Sequence, residues 1–296
     1  MIPVVALAGA AASSEAAPRQ DVPVDATAAI PPGSGIRLDA WAAWGGDVTA
    51  ARYVLGNGLS VIVMRDPSAP IASFQTWLGV GSRQEATGRT GIAHLFEHLM
   101  FKGTARHPHP VFDTLLERAG AQTNAATWLD WTFYYENLPA AQLDLAVRLE
   151  SDRLVNLVLT QEQLDSEREV VKNERLYRVD NDPDGAIEEA LFERLFPGHP
   201  YARPTLGYAA DLDALTLADC LAFYRTWYSP GNVTLVVAGD VQPRPVLDLV
   251  ARYYGALRPV EVPAAVPPPG PVAADGPRYL DLPLPVAVEQ IGRAHV

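Results

Sequence analysis

Residues 91–101 read Gly-Ile-Ala-His-Leu-Phe-Glu-His-Leu-Met-Phe, a mostly apolar run interrupted by three ionisable side chains. The apolar residues predict a buried helix with Thr90 as its N-cap. His94 and His98 are four residues apart, so they lie on one face of that helix, one turn from each other. Two imidazoles so placed suit adjacent vertices of a tetrahedral zinc ion. Glu97 lies on the same side of the helix, where its carboxylate can reach a water on such an ion.

The polar side chains of this helix need partners. Burying three of them together without partners costs free energy, whereas a metal ion satisfies them at once. The alternative is a packed helix in which both histidines make ordinary hydrogen bonds.

A catalytic zinc ion usually has three protein ligands and one water, so a third ligand must come from another segment. Glu167 and Glu174 are candidates because they are two helical turns apart on a predicted helix and share one face. Either can instead be a salt-bridged surface charge. The pattern does not select between the two glutamates.

The rest of the chain alternates between predicted strands and helices. Asn57-Gly58 favours the tight turn of a β-hairpin over 53–64. A capping box at Thr160 and Gln163 predicts the start of a long helix. Further strands are predicted at 71–80, 131–138 and 232–238. Helices are predicted at 111–119, 140–157, 161–179, 187–195, 217–227 and 245–254.

The composition excludes some classes of protein. The 296 residues are 48% hydrophobic, enough for a sizeable core, and the formal charge is −12. An acidic chain without a basic face is not expected to bind nucleic acid. The single cysteine, Cys220, cannot form an intrachain disulfide and is expected to be a small buried residue. No apolar run reaches the roughly twenty residues that span a bilayer, so no membrane span is expected.

Shifts in composition predict the domain boundaries. Residues 1–45 are expected to be a leader that combines a remnant signal peptide with a disordered linker. Such a leader predicts export to the bacterial periplasm or cell envelope; a cytoplasmic location is the alternative. Residues 46–258 are expected to form the zinc-binding domain. Residues 259–290 are interpreted as a Pro-rich linker with the start of a truncated second half, and 291–296 as an artefactual tail.

Several motifs, in order along the chain, resemble those of the pitrilysin and insulysin family of zinc metallopeptidases, which includes the mitochondrial processing peptidase. The pentad from His94 to His98 is similar to the inverted zinc motif of that family. The resemblance covers about residues 53–241. Its other segments are 81–85, 123–127, 150–153, 167–174, 199–201 and 232–240.

The resemblance implies an α+β fold, with an antiparallel sheet backed by helices that forms one half of a clamshell around an unfolded peptide. It implies one Zn²⁺ per chain, with Glu174 as the third ligand beside His94 and His98. A homologous C-terminal half or a partner subunit is implied as well, because the family binds substrate partly through residues of that half.

The resemblance also implies three further roles. Glu97 is the general base, and Glu167 is a second carboxylate that supports the catalytic site. Asn124 contacts the substrate backbone; its alternative is a turn residue bonded to its own backbone.

The function implied is a zinc-dependent endopeptidase that hydrolyses peptide bonds of unfolded peptides or small proteins. One alternative is a non-catalytic scaffold subunit of a peptidase pair. The intact pentad argues against this alternative. Another is a zinc lyase of the S-ribosylhomocysteine type, in which a cysteine is the third ligand. Cys220 is the only thiol that could take that place.

Overall fold

The computed structural model describes residues 24–45 and 48–264, together with Pro267 and Leu282. Within these residues the strands are β1 Arg37–Gly45, β2 Val48–Val54, β3 Ser60–Arg65, β4 Ile71–Leu78, β5 Gln122–Thr127, β6 Thr132–Pro139 and β7 Val233–Gly239. The helices are α1 Val24–Ala28, α2 Ile92–Leu99, α3 Val111–Arg118, α4 Leu143–Asn156, α5 Gln161–Arg175, α6 Pro183–Leu195, α7 Ala209–Ala214, α8 Leu217–Trp227 and α9 Pro243–Tyr254.

The strands form one sheet in the order β1-β2-β3-β7-β4-β6-β5. All neighbouring pairs are antiparallel except β3 and β7, which run parallel. The predicted α+β class, a sheet backed by helices, is therefore confirmed. The predicted antiparallel pairing holds for five of the six strand pairs and not for β3 with β7. The long connection between β3 and β7, which contains most of the described helices, permits this parallel pairing, because two parallel strands cannot be joined by a short hairpin.

Helices cover one face of the sheet. Along β4, buried residues alternate with partly exposed ones, and Phe74 and Leu78 are on the buried side. These side chains share one hydrophobic core with Val147 of α4 and Leu247 of α9. Helix α2 contacts β5 and β6 at the far end of the sheet. The sheet therefore supports the helix that carries both histidines.

The predicted leader extends too far into the domain. β1 pairs with β2, and Ala29 and Ile36 are buried in the core, so the folded domain begins before the predicted boundary at residue 46. The segment 37–45 is rich in small alanines and carries a weak strand pattern, which explains the error. Residues 1–23 of the predicted leader, most of the predicted segment 259–290 and the tail 291–296 lie outside the described residues.

Local predictions were mostly confirmed, with three corrections. The hairpin, the capping box of α5 and the helices from α3 to α9 agree with the predicted segments, apart from α7, which was not predicted. β5 was not predicted either, because its sequence is polar and half of it is exposed at the edge of the sheet. The predicted helix 161–179 is α-helical only to Arg175 and continues as a π-helical turn over Leu176–Asp180.

Across residues 24–45 and 48–264, no helix combines the length and the apolar character needed to cross a membrane.

Candidate metal centre

The candidate metal-binding face belongs to α2. The N-cap of this helix is Gly91 and not the predicted Thr90. The φ angle of Gly91 is 83°, a left-handed conformation that glycine adopts readily. Leu95 is wholly buried in the core. The side of α2 that bears His94 and His98 packs against α5. The pentad is therefore helical, as predicted, and its two imidazoles face a second helix.

The first turn of α2 is held by Glu85. Its two carboxylate oxygens accept hydrogen bonds from the backbone N–H groups of Gly91 and Ala93, each at 2.9 Å. These are N–H groups that a helix leaves without an internal partner. The Thr90 hydroxyl instead donates to Asp211 at 2.6 Å. Glu85 therefore fixes the position of the helix one turn ahead of the first histidine.

Three predicted ligand side chains converge between α2 and α5. Glu174 Oε2 lies 3.6 Å from His94 Nε2 and 3.4 Å from His98 Nε2, and one ligand atom of each residue lies within 4.8 Å of the others. Bonds of about 2.1 Å to a tetrahedral zinc ion place ligand atoms about 3.4 Å apart. Two imidazole nitrogens and one carboxylate are also a donor set that zinc accepts. The residues therefore fit a zinc ion.

Glu167 contacts His98 through the ring nitrogen Nδ1, which is the nitrogen that does not face Glu174. Its Oε2 lies 3.3 Å from His98 Nδ1, and its Oε1 lies 2.5 Å from the ammonium of Lys102. Glu174 is held in a similar way, because Arg178 donates to its Oε1 at 2.7 Å while Oε2 faces the histidines. The two glutamates of α5 that the sequence pattern did not distinguish therefore occupy different positions, and Glu174 alone of the two faces both Nε2 atoms.

The two histidines differ in their affinity for protons. Burial lowers the pKa of His94 to about 4. Burial also works against charge on His98, but hydrogen bonds to Glu167 and Glu174 outweigh it and raise the pKa of His98 to about 9. The hydrogen bond with His98 lowers the pKa of Glu174 to about 2. At neutral pH, metal binding therefore has to displace a proton from His98, whereas His94 and Glu174 are already in the form that binds metal.

Glu97 is buried beside the histidines. Burial raises its pKa above the ordinary value for a glutamate, and the hydrogen bond from Thr127 opposes that shift. The Thr127 hydroxyl donates to Glu97 Oε2 at 2.6 Å, which orients the carboxylate. Thr127 ends the edge strand β5, so the sheet itself supports the orientation of this side chain.

A cavity of about 810 Å³ opens onto these groups. Its lining includes His94, Glu97, His98, Glu174, the β5 residues Asn124, Ala125, Ala126 and Thr127, and Trp128, Arg178 and Phe192. Asn124 is exposed, and its Oδ1 accepts from the N–H of Ala125 at 2.9 Å. It lies in a strand rather than in the turn considered as an alternative, although it does bond to neighbouring backbone. Its contact with substrate stays a prediction.

The structure thus brings His94, Glu97, His98, Glu174 and Asn124 to the lining of one cavity. Glu167 does not line it but contacts His98 through Nδ1. Cys220 is buried in α8 and is not part of the cluster formed by His94, His98 and Glu174. Sequence reasoning missed Thr127 and Lys102. Lys102 follows His98 by four residues, and this spacing could have indicated that Lys102 lies on the same helical face as the two histidines.

The fold and the site together define an α+β protein with a candidate metal centre between two helices. The chain belongs to the insulinase family, peptidase family M16, whose family model matches residues 60–208. A second family model, described as the peptidase M16 inactive domain, matches residues 214–291.

Curated relatives carry protease names. The chain is 33% identical over 216 residues to the zinc protease PqqE of Helicobacter pylori, which covers 73% of this chain and 48% of that protein. It is 30% identical over 207 residues to the mitochondrial-processing peptidase subunit beta of Lentinula edodes, covering 69% of this chain and 43% of that one. The chain spans about half the length of the curated relatives it matches.

Solved structures share the fold. The crystal structure of a protease from Helicobacter pylori matches with a TM-score of 0.70 and 32% identity, covering 74% of this chain and 53% of that one. The first half of the periplasmic protease PqqL from Escherichia coli matches with a TM-score of 0.67 and 25% identity, covering 72% and 47% of the two chains.

Proposed function

We propose that this chain is the metal-bearing half of a zinc-dependent endopeptidase that hydrolyses peptide bonds of unfolded peptides or small proteins. The proposal rests on the convergence of His94, His98 and Glu174 within 4.8 Å, with Glu97 lining the same cavity. The names of the relatives, zinc protease and processing peptidase, support the reaction class.

The chemistry divides between a metal ion and Glu97. His94, His98 and Glu174 would hold a Zn²⁺ ion, which would supply Lewis acidity toward the scissile carbonyl and the attacking water. Glu97 takes the proton of the attacking water and passes it to the leaving amine. Because burial raises its pKa, Glu97 is a stronger base than an exposed glutamate. Its hydrogen bond with Thr127 keeps the carboxylate in one orientation during both transfers.

The edge strand β5 supports an extended substrate. Among the described residues β5 pairs with β6 alone, so its other side has backbone groups free to pair with a peptide. Asn124 to Thr127 line the cavity that contains Glu97. A peptide added along β5 would pass the metal site, and only an unfolded chain can add in that way. We include Asn124 in the proposal as a contact to the substrate backbone.

The proposal includes a partner and a location. Because the chain spans about half of its relatives, a homologous C-terminal half, on the same chain or on a separate subunit, is proposed to complete the substrate chamber. Export to the periplasm or cell envelope is proposed from the apolar N-terminal sequence, and the Escherichia coli relative is described as periplasmic.

The first test is Glu97→Gln, assayed on an unfolded peptide with the C-terminal half present. Loss of the general base is expected to lower kcat by about 100- to 10,000-fold. Zinc content should be unchanged, because Glu97 is not a ligand. Glu169→Gln is the matched control, since Glu169 is an exposed glutamate of α5. Robust turnover by the Glu97→Gln protein would remove Glu97 from this role.

The second test separates the peptidase from the lyase alternative. Glu174→Gln is expected to weaken zinc binding strongly, whereas Cys220→Ser should leave it unchanged. The opposite pattern would support the thiol-ligand reading. Retained zinc without any peptidase activity in the completed protein would support the scaffold alternative.

A further inference from the structure

Lys102 ends a ladder of alternating side chains between α2 and α5. It belongs to the 3-10 turn Met100–Lys102 that extends α2, and it follows His98 by four residues. The contacts run from His94 to Glu174 at 3.6 Å, from Glu174 to His98 at 3.4 Å, from His98 to Glu167 at 3.3 Å, and from Glu167 to Lys102 at 2.5 Å. Each glutamate thus places one oxygen near a histidine. Lys102 is the last residue of this series and contacts the remaining oxygen of Glu167.

The lysine at this position is unusual for the chain. Of its 23 Lys and Arg residues only two are lysines, Lys102 and Lys172. The Lys102 side chain is 20% exposed and Glu167 is 10% exposed, so this ion pair is largely shielded from water. Shielding strengthens the attraction between the two charges and fixes the geometry of the carboxylate more than a surface pair would.

We propose that Lys102 is a positioning residue for the metal site: it fixes Glu167, whose other oxygen accepts the Nδ1–H of His98 and directs Nε2 toward the metal. The inference rests on the proposed function in that it takes His98 as a zinc ligand. A hydrogen-bonded carboxylate behind a metal-binding histidine sets the ring orientation and its tautomer. Lys102 acts on the metal site indirectly, through Glu167. Without the lysine, Glu167 Oε1 loses its ion pair and the carboxylate can rotate away from His98.

The sign of the effect distinguishes positioning from simple electrostatics. A lysine near a divalent cation repels it, so loss of the positive charge alone should make zinc bind more tightly. Loss of a positioning contact should make zinc bind more weakly. The two accounts therefore predict opposite changes for the same substitution.

The experiment measures zinc affinity of the whole chain by competition with a chromogenic chelator, which needs no peptidase activity. Lys102→Met is expected to weaken zinc binding by about 10- to 100-fold, the range found for supporting residues of metal ligands. The absorption bands of bound cobalt should also shift, since they report ligand geometry, which a mere loss of stability leaves alone. Lys172→Met is the matched control. Like Lys102, Lys172 forms ion pairs, in its case with Glu169 at 3.2 Å and Asp213 at 2.8 Å. Its replacement should not weaken zinc binding.

A double-substitution cycle tests the route through Glu167. Glu167→Gln alone should weaken zinc binding, and adding Lys102→Met should cause no further loss, because the lysine then has no carboxylate to hold. The double variant removes both charges of the pair, so it leaves no buried unpaired carboxylate. If Lys102→Met alone does not fold, as judged by circular dichroism, a further loss of zinc affinity in the double variant relative to Glu167→Gln still overturns the proposal.

Two outcomes would overturn the proposal: zinc affinity that is unchanged or tighter in Lys102→Met, or a further loss when Lys102→Met is added to Glu167→Gln. A wild-type chain that binds no zinc would instead refute the proposed function, so the two failures can be told apart.

Discussion

Cys220 is the single thiol of the chain and lies wholly buried in α8. Burial, with a smaller contribution from the charge of Asp219, raises the pKa of this thiol to about 12. A metal ligand or nucleophile must be a thiolate. At pH 8, about four units below that pKa, roughly one molecule in 10,000 carries the thiolate. At the residue scale, Cys220 is therefore a core side chain.

This protonation state predicts low reactivity. At pH 8 the native protein is expected to react with a chromogenic disulfide reagent at least about 100-fold more slowly than the protein in denaturant, because both access and thiolate are lacking. The rate should rise as pH increases toward 12. Cys220→Ser should give no colour in either condition and serves as the blank. Stoichiometric labelling of the native protein within minutes would contradict this account.

At the scale of elements, the position of α2 depends on a close backbone approach. Gly91 has a φ of 83°, and a Cβ placed there would lie 2.7 Å from the carbonyl oxygen of Leu206 and 2.9 Å from the Cα of Gly207. Gly207, with a φ of 77°, faces it across the contact. The loop before α7 therefore packs directly on the start of the helix that carries the histidines, and neither chain segment can yield without moving the other.

Gly91→Ala is expected to lower the free energy of unfolding by about 3 kcal/mol or more, from left-handed strain together with the backbone clash. Gly88→Ala is the control, because Gly88 has a φ of 78° but no described atom within 4 Å of its added Cβ. It should cost only the strain, about 1 kcal/mol. Urea unfolding of both variants gives the comparison. Equal costs at the two positions would show that the close approach is unimportant.

At the scale of the whole molecule, a zinc ion would join two helices from distant parts of the chain. α2 and α5 meet through His94, His98 and Glu174, and α2 is anchored in turn by Glu85 and by the core. A ligand that binds only the folded state stabilises it by RT ln(1 + [L]/Kd), so the stabilisation rises with the logarithm of the free ligand concentration. Zinc should therefore stabilise the entire domain and not the site alone.

Zinc at about 100 times its Kd is expected to add about 2.7 kcal/mol to the free energy of unfolding and to raise the melting temperature measured by calorimetry. A chelator should reverse the shift. A variant with both His94→Gln and His98→Gln should melt at one temperature with or without zinc. An equal zinc-dependent shift in that variant would place the bound metal elsewhere.

Local sequence determined much of this protein. The i and i+4 spacing of His94 and His98 predicted a shared helical face, Asn57-Gly58 predicted the hairpin, and the capping box at Thr160 predicted the start of α5. Each signal depends on residues within about one turn of one another, so it can be read without knowing the fold.

Tertiary structure decided the rest. It brought Glu174, rather than Glu167, to the Nε2 atoms of both histidines, placed Lys102 behind Glu167, made β3 and β7 parallel, and set the polar segment β5 at the sheet edge beside Glu97. Two glutamates on the same helical face look alike in sequence. Which of the two glutamates reaches the Nε2 atoms depends on how far α5 is shifted along the axis of α2. Contacts between residues far apart in the chain determine that shift.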